Sequence, residues 1–156
     1  EPEDPCDVDA CREFALRLLD AADRPSGALR DRLIDKGYDD ETVAAVVDRL
    51  IEVGLVDDES YAQSAVRYCV GRLMGYRGAV MELARKGVDR PLAERVCDEA
   101  RMSGVFEDAA WELGRRSAAK TQGMDPKVRK RRFWSSGGRK GHDAETLRAV
   151  AHELFD

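Results

Sequence analysis

Apolar residues recur along this chain at helical spacing and almost never in alternation. Val43, Val46, Val47 and Leu50 form one stripe, and Leu147, Val150, Ala151 and Leu154 form its counterpart near the other end. The stretches "FALRLL" (14–19) and "YAQSAVRYCVGRL" (61–73) follow the same i, i+3, i+4 rule. This pattern predicts nine helices, over roughly 9–23, 26–36, 40–53, 58–74, 76–86, 90–103, 107–120, 125–134 and 143–155. The fold class expected from it is all-α.

The breaks between stripes are as regular as the stripes. "DKGYDDETV" (35–43), "RKGVDRPLA" (85–93) and "RKGHDAETL" (139–147) share one punctuation, with glycines at Gly37, Gly87 and Gly141, 50 and then 54 residues apart. A lysine suits a helix C-terminus because it offsets the negative end of the helix dipole. The glycine can take the left-handed conformation that ends a helix. Two residues on, Asp39, Asp89 or Asp143 can cap the next helix by accepting its free amide hydrogens. Ser26, after Pro25, is a further candidate cap, and Gly54 and Gly104 stand in register to close the third helix of two units.

Residues 36–58 and 86–108 match at seven of 23 positions, and 36–50 and 140–154 at eight of 15, without gaps. That density points to internal duplication. The expected organisation is three tandem three-helix repeats, 9–57, 58–106 and 107–156, after a flexible acidic N-terminus at 1–8. A 50-residue unit is about 25 Å across, so three stacked only on their neighbours form an elongated, curved rod of roughly 75 Å.

The third copy departs from the others. Asp125 and Pro126 start its middle helix conventionally, but "KVRKRRFW" then packs five cations into six positions, and "SSGG" (135–138) is expected to break or loosen the helix. Phe133 and Trp134 are expected to complete the last unit's core. The cations lack acidic neighbours, since residues 115–141 hold ten basic side chains against Asp125 alone. An anionic partner, either nucleic-acid phosphate or an acidic protein surface, would relieve their repulsion.

Composition sharpens this picture. Apolar residues make up 43% of the chain, which excludes compositional disorder, and no apolar run is long enough to cross a membrane. The net charge of −5 hides a gradient: residues 1–58 carry 7 basic and 17 acidic groups, residues 59–106 carry 8 and 6, and residues 107–156 carry 11 and 8. Cys6, Cys11, Cys69 and Cys97 include no C-x-x-C pair, and Cys69 and Cys97 lie in apolar helical patterns, so free thiols in a cytoplasmic protein and no metal site are expected. No phosphate-binding loop has the required glycine spacing. His142 sits just beyond the turn glycine and His152 on an exposed face, so neither supports a catalytic set. The expectation is a protein with no enzymatic activity, no catalytic residues and no cofactor.

The segments "GLVDDESYA" (54–62) and "ELARKGV" (82–88), within a resemblance over about residues 12–115 that continues through "GRKGHDAETLRAV", resemble the bacterial RecX regulatory proteins. The resemblance implies three tandem three-helix repeats without catalytic residues. It further implies binding along the helical groove of the RecA–DNA filament, with inhibition of ATP hydrolysis, strand exchange and filament growth. The partner implied is the RecA recombinase filament, with single- or double-stranded DNA as a further partner for some members. Lys127, Arg129, Lys130, Arg131, Arg132, Arg139 and Lys140 are the residues expected to meet it, with Arg72, Arg77, Arg85 and Lys86 continuing the basic surface. Arg85 and Lys86 serve equally well as helix C-terminal charges. A monomer that does not engage the membrane is expected. Two other readings stand beside this one: a direct DNA-binding module acting through the basic third repeat, and an inert helical adaptor.

Overall fold

The computed structural model describes all 156 residues and contains nine helices and no strand. They are α1 Val8–Ala21, α2 Ser26–Lys36, α3 Asp40–Glu52, α4 Asp58–Gly71, α5 Tyr76–Arg85, α6 Arg90–Met102, α7 Val105–Lys120, α8 Pro126–Arg139 and α9 Ala144–Phe155. None is long and apolar enough to cross a membrane.

Caps explain most helix starts. Asp7, Asp39, Asp57, Asp125 and Asp143 each accept a hydrogen bond from a backbone amide in the first turn that follows. Two expected caps fail. Asp89 makes no side-chain cap bond, because Pro91 has removed one of the two amides that a cap side chain ordinarily reaches. Ser26 lies inside α2 as its first residue, and Pro25 is the residue before the helix. Ser26 instead donates its amide and hydroxyl to the Asp58 carboxylate of α4, at 2.7 and 2.6 Å. The carboxylate of the next repeat thus caps α2.

The buried apolar residues fall into three clusters, drawn from residues 11–56, 62–106 and 110–151. Cys11, Cys69 and Cys97 are buried core residues, and burial pushes the Cys97 thiol up to about 12. The accessible surface is 9378 Å², whereas a compact monomer of 17.4 kDa would expose about 7,900 Å². The excess is that of an elongated helical-repeat protein.

The turn glycines join one repeat to the next. Gly87 (φ 104°) lies with its α-carbon against Ala28, where a Cβ would come within 2.7 Å of the Ala28 amide nitrogen. Gly141 (φ 87°) lies the same way against Gly78, and a Cβ there would overlap the Gly78 backbone. Ala28 and Gly78 each stand nine residues before their own repeat's turn glycine, so both joints use one register. At Gly37 the corresponding face meets Pro2 of the N-terminal stretch, while the Asp39 amide donates to the Pro5 carbonyl at 3.0 Å.

The third repeat keeps this register by lengthening its middle helix. Nine residues before Gly141 stands Arg132, the seventh residue of α8, whereas Ala28 and Gly78 are the third residues of α2 and α5. The four extra residues are therefore an added first turn. "SSGG" does not break α8, contrary to the sequence expectation; the helix runs through it to Arg139. Gly137 is there for packing, since a Cβ at that position would collide with the Leu147 side chain. Leu147 fills the volume that Gly137 leaves, and Phe133, fully buried one turn earlier, stacks on Phe155 at 5.4 Å beside it. That contact outweighs the cost of about 1 kcal/mol for a helical glycine.

Candidate functional site

The structure sorts the predicted basic residues into three groups. The first is engaged inside the chain. Arg129 turns inward, donating to the Thr121 hydroxyl at 3.1 Å and the Ala118 carbonyl at 2.9 Å, with its guanidinium 5.5 Å from the Phe155 ring centre. It closes the C-terminus of α7 and is unavailable to a partner in this arrangement. Lys130 pairs with Asp156, and Arg85 and Lys86 both pair with Glu82, at 2.7 and 3.7 Å. The hydrogen bond from Arg85 holds the Glu82 carboxyl below its usual range.

The second group, Lys127, Arg131 and Arg77, is exposed without an ion-pair partner and lies outside the groove that the third group lines. Arg139 is also exposed and donates to the Ser135 hydroxyl at 2.6 Å.

The third group is brought together. Arg72, just past the end of α4, Arg132 on α8 and Lys140, which caps the C-terminus of α8, line one groove of about 390 Å³. Arg116 and Lys120 of α7 complete it, with Ser117, Thr121 and Ser136 also in the lining and no acidic side chain there. Arg116 pairs with Glu112 at 2.9 Å, outside the groove, and Arg116 is the first cause holding that carboxyl below its usual range. Arg72 donates to the Tyr68 hydroxyl at 3.1 Å.

Sequence reasoning did not single out Arg116 and Lys120. Their signal is the i, i+4 spacing on α7, facing Arg132, Ser136 and Lys140 at i, i+4, i+8 along α8 and its C-terminal cap. Only the packing of α7 against α8 sets the two rows opposite each other.

The groove straddles the joint between the second and third repeats. Three hydrogen bonds cross beside it: Lys140 Nζ donates to the Arg72 carbonyl at 2.8 Å, the Gly75 amide donates to the Lys140 carbonyl at 2.8 Å, and His142 Nε2 lies 2.8 Å from the Leu73 carbonyl. Burial pulls the His142 imidazole below its usual range, so it is neutral near pH 7 and donates through Nε2. Leu73 has φ 64° and is the only residue other than glycine with positive φ.

Tandem three-helix units with a cationic groove across their last joint define a helical-repeat protein. A family model described as "RecX, first three-helix domain" matches residues 11–50. The chain is 37% identical over 147 residues to the regulatory protein RecX of Thermobifida fusca (strain YX), covering 92% of this chain and 78% of that one. It is 32% identical over 155 residues to the regulatory protein RecX of Streptomyces lividans, covering 98% and 81%. The crystal structure of RecX from Lactobacillus salivarius superposes with a TM-score of 0.83 at 20% identity, over 95% of this chain and 96% of that chain. The chain belongs to the RecX family of regulatory proteins.

Proposed function

We propose that this protein binds along the groove of the filament that the RecA recombinase forms on DNA, and that it inhibits ATP hydrolysis, strand exchange and filament growth there. Membership of the RecX family carries the reading, and the shape and charge of the molecule agree with it. A rod of tandem repeats can span neighbouring protomers of a filament. The acidic first repeat and the basic third repeat give the rod a direction along an asymmetric track. The protein acts as a monomer in the cytoplasm, where such filaments assemble.

The test is the steady-state ATPase of cognate RecA on single-stranded DNA, titrated with this protein. Inhibition well below one copy per RecA is the expected result; none at stoichiometric excess removes the reading. The acid-free groove favours one alternative, a module that binds DNA directly through the third repeat. Tight binding to bare DNA without any effect on RecA would promote it. Against it stand residues 1–58, whose 17 acidic groups against 7 basic ones bare DNA would repel.

A further inference from the structure

We propose that the groove formed by Arg72, Arg116, Lys120, Arg132 and Lys140 is a phosphate-binding site whose occupation clamps the second repeat to the third. This deepens the filament reading by naming the ligand chemistry at the basic end of the rod.

Charge comes first. Five cations line a concave space without an acidic group, and neither Lys120 nor Arg132 has an ion-pair partner. Like charges held together in a recess repel, and the recess limits the water that would screen them. An anion inside it reaches the four cations without an ion-pair partner together with Arg116, whose one partner is Glu112 outside the groove.

The donor set favours phosphate over the carboxylates of an acidic protein. Arginine forks and lysine ammoniums converge from α4, α7 and α8, and Ser117 and Ser136, whose hydroxyls make no hydrogen bond to a neighbouring group, share the lining. A tetrahedral phosphate offers oxygens in all these directions, and about 390 Å³ holds a short run of such groups. A planar carboxylate on a protruding side chain reaches only one wall.

Position supplies the clamp. Arg72 belongs to the second repeat, and Arg116, Lys120, Arg132 and Lys140 to the third. Lys140 already bonds the carbonyl of Arg72 itself, so the groove's floor is the joint. A phosphate run held by Arg72 on one side and by α7 and α8 on the other adds charge-assisted bonds across the seam. By linkage, whatever binds only the closed joint stabilises it. The phosphates could be those of a nucleic-acid strand or of a free nucleotide, and the two differ in what the groove reports: strand engagement or nucleotide supply.

The experiment uses the full chain with two probes, inorganic tripolyphosphate and a short oligothymidylate, titrated calorimetrically at roughly 50 and 200 mM salt. Arg116→Glu/Lys120→Glu should weaken tripolyphosphate binding by about tenfold or more, the loss of at least one charge-assisted contact. Arg90→Glu/Arg148→Glu, which changes net charge equally on other helices, should change it by less than about twofold. Equal losses in both variants, or no binding by the unaltered chain at the lower salt, would overturn the site. Amide exchange at Gly75, whose N–H crosses the joint to Lys140, should slow when tripolyphosphate saturates the protein. Unchanged exchange would overturn the clamp. Oligothymidylate binding lost in the same groove variant assigns the phosphates to a strand, and tripolyphosphate binding alone assigns them to a free nucleotide; either upholds the site. RecA inhibition is read separately. A groove variant that loses phosphate binding but still inhibits RecA separates the site from the filament contact, whereas failure of the unaltered chain to inhibit RecA counts against the filament reading alone.

Discussion

The two joints of the rod share a backbone design and differ in the chemistry that locks it. At both, a turn glycine lies flat against the small residue nine positions before the preceding turn, Gly87 on Ala28 and Gly141 on Gly78. Around that contact the first joint is tied by an anion, the Asp58 carboxylate gripping Ser26. The second is tied by the Lys140 ammonium and the His142 imidazole, both reaching main-chain carbonyls of the 72–73 turn. One duplicated scaffold therefore carries a joint of each sign. Backbone nesting sets where the repeats sit, and side-chain chemistry sets what each joint responds to.

The largest effect is expected from breaking the nesting itself. Gly141→Ala should destabilise the fold by about 3 kcal/mol or more, since a left-handed residue acquires a Cβ that meets backbone. Gly54→Ala, at a similar φ of 81° but facing open space, should cost only about 1 kcal/mol. Urea unfolding of the two variants measures the difference, and equal costs would show that conformation rather than nesting sets it. Next in size, Asp58→Ala leaves the Ser26 amide and hydroxyl without their acceptor and should cost about 1–2 kcal/mol by the same assay. Lys140→Met, which keeps the aliphatic stem and deletes one bond across the second joint, should cost about 1 kcal/mol.

The smallest effect separates the joints by pH. The His142 pKa is depressed in the folded protein, so the unfolded chain binds the proton more readily. The stabilising contribution is complete above the unfolded value near 6.5 and is lost as pH falls from there through the folded value. Urea midpoints for the unaltered chain should therefore drop from pH 7.5 to about 5, and His142→Gln should flatten that part of the profile. A profile that keeps its slope in the variant would remove His142 as its source.

Much of the fold was legible because its signals are local. Stripe spacing placed all nine helices, and the turn glycines placed the boundaries between the second and third helices of each repeat. The expectations that failed depend on contacts between distant residues. "SSGG" looks like a breaker until Leu147 is packed against Gly137. Ser26 looks like a cap until Asp58 arrives from the next repeat. The candidate site was half legible for the same reason. The charge run marked α8, but Arg129 turned out to serve the end of α7, while Arg116 and Lys120 entered the groove only through the crossing of α7 and α8.

The register of the turn glycines bears on what each repeat offers to its neighbour. In the first two repeats the receptive spot is a residue with little or no side chain, Ala28 or Gly78. In the third the same spot is Arg132. A turn could not nest over an arginine as it does over glycine, so the spot that receives a neighbour's turn in the first two repeats is of a different kind in the third. At the opposite end, Pro2 already occupies the outer face of Gly37. Arg132 also lines the groove: the position that the first two repeats cover with a neighbour's turn is the one that the third turns into a cationic wall.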